Sequence, residues 1–149
     1  MSLNNDPRLS GYLTRALSHE LAAVQQYLMQ AKLAGLWGMP ELSARLHQDA
    51  GEELGHVGQI MQRMLVMGVP APAIQLPPAR PGRNVEEMLH IDRALEIEVI
   101  RLYEDAARYC ARMRDSETQT MFDSLRQDEL GHLHELDRQL QEIQQGTAP

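Results

Sequence analysis

The apolar positions of this chain recur at the three- and four-residue spacing of a helix face, in four separate stretches. The first runs through Leu13, Leu17, Val24, Leu28 and Ala31. Asp6 is its natural N-cap, Pro7 suits the first helical position, and Gly35 and Gly38 end it. The second starts near Pro40 and carries Leu42, Leu46, Val57, Ile60, Met64 and Met67 before Gly68, Val69 and Pro70 stop it. The third opens at Asn84, with Glu87 placed as in a capping box, and uses Met88, Ile91, Leu95, Val99 and Leu102. The fourth begins at Asp115 or Ser116 and runs through Met121, Leu125, Leu133, Leu136, Leu140 and Ile143.

Two of the three connections are short and join antiparallel neighbours. The third, about 69–83, holds Pro70, Pro72, Pro77, Pro78 and Pro81. Such a segment resists helix and stays extended at roughly 3.1 Å per residue, so it reaches about 45 Å. That matches the length of a helix of roughly 28 residues. The segment can therefore run the length of a bundle and set the second and third helices parallel. Either two-helix half alone would have too little core. The expected fold is all-α, one four-helix bundle over residues 1–149 with a long crossover between helices two and three.

Hydrophobic residues make up 43% of the chain and aromatics only 4%, a Leu-, Ala- and Met-rich mix that favours helix over strand. The nine methionines fall mostly at core spacing and read as packing. Net charge is −7 with no basic run, which argues against nucleic acid as a partner. Residues 1–10 carry no apolar signal segment and no stretch approaches a membrane span. Cys110 is the lone cysteine, so no internal disulfide or cysteine metal cluster is available, and a reducing cytoplasm fits.

The two halves of the chain repeat one another. Glu20 is followed by Glu53-Leu54-Gly55-His56, and Glu96 by Glu129-Leu130-Gly131-His132, each member lying 76 positions after its counterpart. Tyr27 and Tyr103 obey the same offset, as do Glu52 and Asp128. On a helix, residues i and i+3 share a face, so each Glu-x-x-His directs a carboxylate and an imidazole at one ion. Oxygen with imidazole nitrogen suits iron, manganese or zinc better than magnesium or calcium. One such pair is weak evidence: Glu87 and His90 form a third, unduplicated, which reads as a solvated helix start. The duplicated set is stronger, because Glu20 and Glu96 stand among apolar neighbours, where acids are rarely buried unless paired or metal-bound.

These residues resemble the ferritin superfamily, and most closely its bacterioferritin branch. The likeness covers roughly residues 9–145 and includes Glu20-Leu21-Ala22-Ala23, Gln26-Tyr27, Trp37-Gly38, Glu53-Leu54-Gly55-His56, Glu86-Glu87-Met88-Leu89, Asp92, Ala94-Leu95-Glu96 and Asp128-Glu129-Leu130-Gly131-His132. It implies a di-iron centre with Glu20, Glu53, His56, Glu96, Glu129 and His132 as ligands and as the catalytic set. Glu53 and Glu129 would bridge the ions, while Glu20 and Glu96 would cap one each. Tyr27 and Tyr103, two turns after the capping acids, are expected to hydrogen-bond ligating carboxylates, and Asp92 and Asp128 to accept from the outer imidazole N–H groups. Trp37 is expected to pack at the first turn between helices.

The chain also departs from the family pattern. Bacterioferritins bind haem at a dimer interface through a methionine directly after the first bridging acid; here that position is Leu54, so haem is not expected. Some pass iron inward through an inner-face histidine, where this chain has Gln48, with His47 beside it. The large shells of the family use a short fifth helix, and residues 144–149 leave no room for one, so a homo-oligomer of at least two chains is expected rather than a full cage. The implied function is oxidation of Fe²⁺ with O₂ or H₂O₂ at two iron ions, with manganese as the alternative metal. Two other readings stay open: a di-iron or di-manganese oxidoreductase acting on peroxide or an organic substrate, and a non-catalytic interaction protein braced by its metals.

Overall fold

The computed structural model describes residues 6–146, which form four helices: α1 (Pro7–Leu36), α2 (Pro40–Met67), α3 (Val85–Arg112) and α4 (Ser116–Gln144). Their starts follow local capping. Asp6 Oδ1 accepts from the backbone N–H groups of Arg8 (3.0 Å) and Leu9 (3.2 Å), Asn84 Oδ1 from that of Glu87 (2.8 Å), and Asp115 Oδ1 from that of Thr118 (3.1 Å). Each bond satisfies a donor that the first turn leaves without a helical partner. The Glu87 carboxylate lies against Arg83 Nε at 2.9 Å.

The duplication extends to the turns. Leu36 and Arg112 end α1 and α3, Pro40 and Ser116 open α2 and α4, and these pairs keep the offset of 76. Between them Gly38 and Arg114 occupy matching positions and both are left-handed, with φ of 73° and 58°. Glycine takes that conformation without steric cost, whereas arginine does not.

Side-chain contacts fix the helix directions. Along α1 and α3, Glu20 meets Tyr103, Tyr27 meets Glu96 and Gln30 meets Asp92, so one helix rises as the other falls. Glu52 with His132, His56 with Asp128 and Arg63 with Glu117 show the same for α2 and α4. With α1 antiparallel to both α2 and α3, the latter two are parallel, and the connector spans the bundle between them. Val69 is buried and Ile74 packs on the core. Farther on, the Gln26 carboxamide donates to Arg80 O and accepts from Arg80 N–H (2.9 Å). At Gly82, with φ of 93°, a Cβ would stand 2.9 Å from Met88 N, so the close approach also demands glycine.

The core is divided. One apolar cluster fills one end with Leu13, Leu17, Ile60, Met64, Tyr103, Phe122 and Leu125. At the other end, Tyr27, Ala31, Ala34, Leu46 and Met88 form a second cluster, against which the half-buried Trp37 packs. Leu89, Leu136 and Leu140 make a third. Between these apolar layers lie four buried glutamates, Glu20, Glu53, Glu96 and Glu129.

Some side chains stand elsewhere than the apolar pattern suggests. Leu28 is 40% exposed, because the inward row of α1 runs through Tyr27 and Ala31. Met29, Met61 and Met113 are exposed rather than packed. Cys110 is buried and free, and His90 is exposed beside Glu86. No helix among the described residues is long and apolar enough to cross a membrane. Residues 1–5 and 147–149, which bear on the expected lack of a signal segment and of a fifth helix, lie outside the described residues.

Candidate metal centre

Glu20, Glu53, Glu96 and Glu129, one from each helix, are at most 3% exposed. His56 and His132 stand one helical turn after Glu53 and Glu129. The six side chains form two overlapping groups, Glu20–Glu53–His56–Glu129 and Glu53–Glu96–Glu129–His132, with one ligand-type atom of each residue within 4.8 Å of the others in its group. Glu53 and Glu129 belong to both.

The imidazoles turn their Nδ1 atoms inward. His56 Nδ1 is 2.9 Å from Glu129, 3.3 Å from Glu53 and 3.5 Å from Glu20. His132 Nδ1 is 3.0 Å from Glu53, 3.2 Å from Glu129 and 3.8 Å from Glu96. Their Nε2 atoms face outward to exposed acids, His56 to Asp128 at 2.9 Å and His132 to Glu52. An acid on one ring nitrogen fixes the tautomer and leaves the other nitrogen free to ligate. Asp92 therefore does not have the place expected of it: its carboxylate accepts from Gln30 at 2.7 Å, and Glu52 faces His132 instead. The signal for Glu52 is in the sequence, since Glu52 and Asp128 are related by the same offset as the ligand set. Asp128 and both tyrosines stand against the six residues. Tyr27 OH donates to Glu96 Oε1 at 2.5 Å and Tyr103 OH to Glu20 Oε1. Burial first, then the nearby acids, pushes both phenols well above their ordinary value, so they remain donors.

Burying this many acids is costly, and the ionisation shows it. Burial, then the hydrogen bond with Glu53, raises Glu20 to about 8. Burial, then Glu96, raises Glu129 to about 11. Burial opposes charge on the imidazoles, but the carboxylates around His56 and His132 outweigh it and raise both. Five atoms that point into the cluster, Glu20 Oε2, Glu53 Oε1, His56 Nδ1, Glu96 Oε2 and Glu129 Oε1, are buried without an aligned hydrogen bond. A buried group left in that state costs about 1–3 kcal/mol. Four carboxylates and two neutral imidazoles match two divalent cations in charge and in donor type. The residues present thus fit a dinuclear centre.

Access is on the α2–α4 side. A cavity of about 510 Å³ opens there, lined by both histidines, by Glu52 and Asp128, and by Gly55 and Gly131. A Cβ at either glycine would meet nothing within 4 Å, so both positions face open space.

The model of the ferritin-like domain family matches residues 11–146. A bacterioferritin of Rhodobacter capsulatus is 32% identical over 138 residues, covering 93% of this chain and 86% of its own. One from Mycolicibacterium paratuberculosis is 30% identical over 139 residues, covering 93% and 87%. Among solved structures, the R. capsulatus bacterioferritin, described with a metal-free dinuclear site and haem iron, superposes with a TM-score of 0.91 at 31% identity, over 95% of this chain and 88% of that one. With its four-helix bundle matched end to end in sequence and in space, the chain belongs to the ferritin-like family, on the bacterioferritin-like side of it.

Proposed function

We propose that this protein is a ferroxidase: it binds two Fe²⁺ as substrate and oxidises them with O₂ or H₂O₂. The observation that carries this reading is the pair of overlapping ligand groups sharing Glu53 and Glu129. In this assignment Glu53 and Glu129 bridge, Glu20 and His56 complete one position, and Glu96 and His132 complete the other. Two ions held side by side give one electron each, which with two protons reduces O₂ to H₂O₂ without a one-electron product. The protein's part is to fix the ligands beforehand. Tyr103 and Tyr27 hold the capping carboxylates, and Asp128 and Glu52 hold the imidazoles. Iron handling in the relatives named bacterioferritin supports the same reading.

Anaerobic Fe²⁺ titration followed by exposure to air tests it. Two Fe²⁺ per chain should bind and oxidise faster than iron in buffer, and Glu53→Ala or Glu129→Ala should lose both ions. Oxidation no faster than in buffer would overturn the proposal.

A further inference from the structure

The pseudo-symmetry that relates the two halves breaks on one side of the acid layer. Gln30, Asp49 and Asp92 have Ala106, Leu125 and Ala16 as their counterparts at the offset of 76. All three counterparts are fully buried in the apolar cluster. The same place in the other half is polar. Asp92 and Gln30 are each 0% exposed, and Gln30 Nε2 donates to Asp92 Oδ1 at 2.7 Å. That bond leaves Asp92 Oδ2 and Gln30 Oε1 buried with no partner. Asp49 comes from α2, half-buried, and its charge bears on Asp92. No ion pair among the described residues reaches Asp49 or Asp92.

Two buried acceptor oxygens lacking a donor, beside a further carboxylate, call for positive charge. The donor set is two carboxylates and one carboxamide oxygen, with no imidazole. It is harder than the dinuclear set, and its charge of −2 is that of one divalent cation's complement. We propose that Asp92, Asp49 and the Gln30 carbonyl hold a third divalent cation, bound through oxygen alone, one helical turn from Glu96. The site serves one half of the pseudo-dyad only, so it makes the two positions of the dinuclear centre inequivalent. Asp49 is the side chain through which an ion reaches it from solvent.

The rival occupant is a water molecule donating both its hydrogens to the two free oxygens. Dialysis of metal-free protein against Mn²⁺, with ions per chain counted by elemental analysis, separates the two. The Asp92→Asn protein should carry one ion fewer than wild type. Excess Ca²⁺ should displace that one ion from wild type and leave those held by imidazole. Asp49→Asn, at a half-exposed position, should give the same loss and decides the matter if Asp92→Asn does not fold by circular dichroism. The comparison counts a difference, so it stands whether or not the dinuclear centre oxidises iron. Equal counts in wild type and in the folded variants would overturn the proposal, since any extra ion would then sit elsewhere on the acidic surface.

Discussion

Stripping the metal should make this protein less stable as pH rises. Glu20 and Glu129, raised to about 8 and about 11, both start from 4.5 in the unfolded chain. Between pH 4.5 and 8 the folded chain therefore keeps protons that the unfolded chain has released. His56 and His132, also raised, have the same sign above 6.5, where the unfolded chain lets go of its imidazole protons. Burial lowers His19, which has the opposite sign, but the four raised groups outnumber it between pH 5.5 and 7.5, so stability falls with pH at about 1.4 kcal/mol per unit for each net proton retained. Counting a single proton between pH 5.5 and 7.5 gives about 3 kcal/mol, or a Tm lower by about 6–12 °C in a chain of this size. Metal reverses the trend, because it takes the place of the protons and binds deprotonated ligands more tightly. Calorimetric melts at pH 5.5, 6.5 and 7.5, with chelator and with Mn²⁺, should show a gap that widens as pH rises. The Glu20→Gln variant should flatten the chelated profile. A chelated Tm that is constant or rises from pH 5.5 to 7.5 would refute the reasoning.

Three other outcomes follow from individual residues. Arg114→Gly should raise stability by roughly 0.5–1 kcal/mol and Gly38→Ala should lower it by about as much, because both positions are left-handed; melts that move the opposite way count against this. Tyr103→Phe should cost about 1–3 kcal/mol in the metal-free protein by removing the donor to buried Glu20, while the ion count stays that of the wild type, and an unchanged melt would show that the bond contributes nothing. Protein from haem-replete cells should show no stoichiometric haem band, since position 54 is an exposed leucine; Leu54→Met is the variant expected to gain one, and a wild-type band at one haem per two chains would refute this.

What was legible in the sequence is what depends on neighbours along the chain. Asp6, Asn84 and Asp115 announce the helix starts because capping is a local bond. The duplicated Glu-x-x-His pairs announce four residues of the cluster because a helix repeats itself every three to four positions, and the offset of 76 that relates those pairs adds Glu20 and Glu96. Contacts between helices were less readable. Helix periodicity alone does not say whether Asp92 or Glu52 faces His132, since that depends on which helices lie side by side; only the offset that pairs Glu52 with Asp128 points to Glu52. The apolar pattern admits Leu28 as readily as Tyr27 on the inward row, because adjacent residues straddle its edge. Nothing near Arg114 marks it as left-handed; only its pairing with Gly38 does. The clasp of Gln26 on the connector joins residues far apart in sequence, which no local rule reaches.

Each half of the chain completes the other. Tyr27 reaches across to Glu96 and Tyr103 to Glu20, while His56 finds Asp128 and His132 finds Glu52, so all four contacts pass between halves. Two copies of the first half, set face to face across a dyad, would restore the same four contacts with Tyr27 on Glu20 and His56 on Glu52. A chain of half the length would thus carry every residue type that the six-residue cluster uses. The proline-rich connector ties the two halves together. It turns an encounter between two molecules into a fold within one, at an effective concentration set by its own reach. Gln30, Asp49 and Asp92 against Ala106, Leu125 and Ala16 mark where the two halves differ.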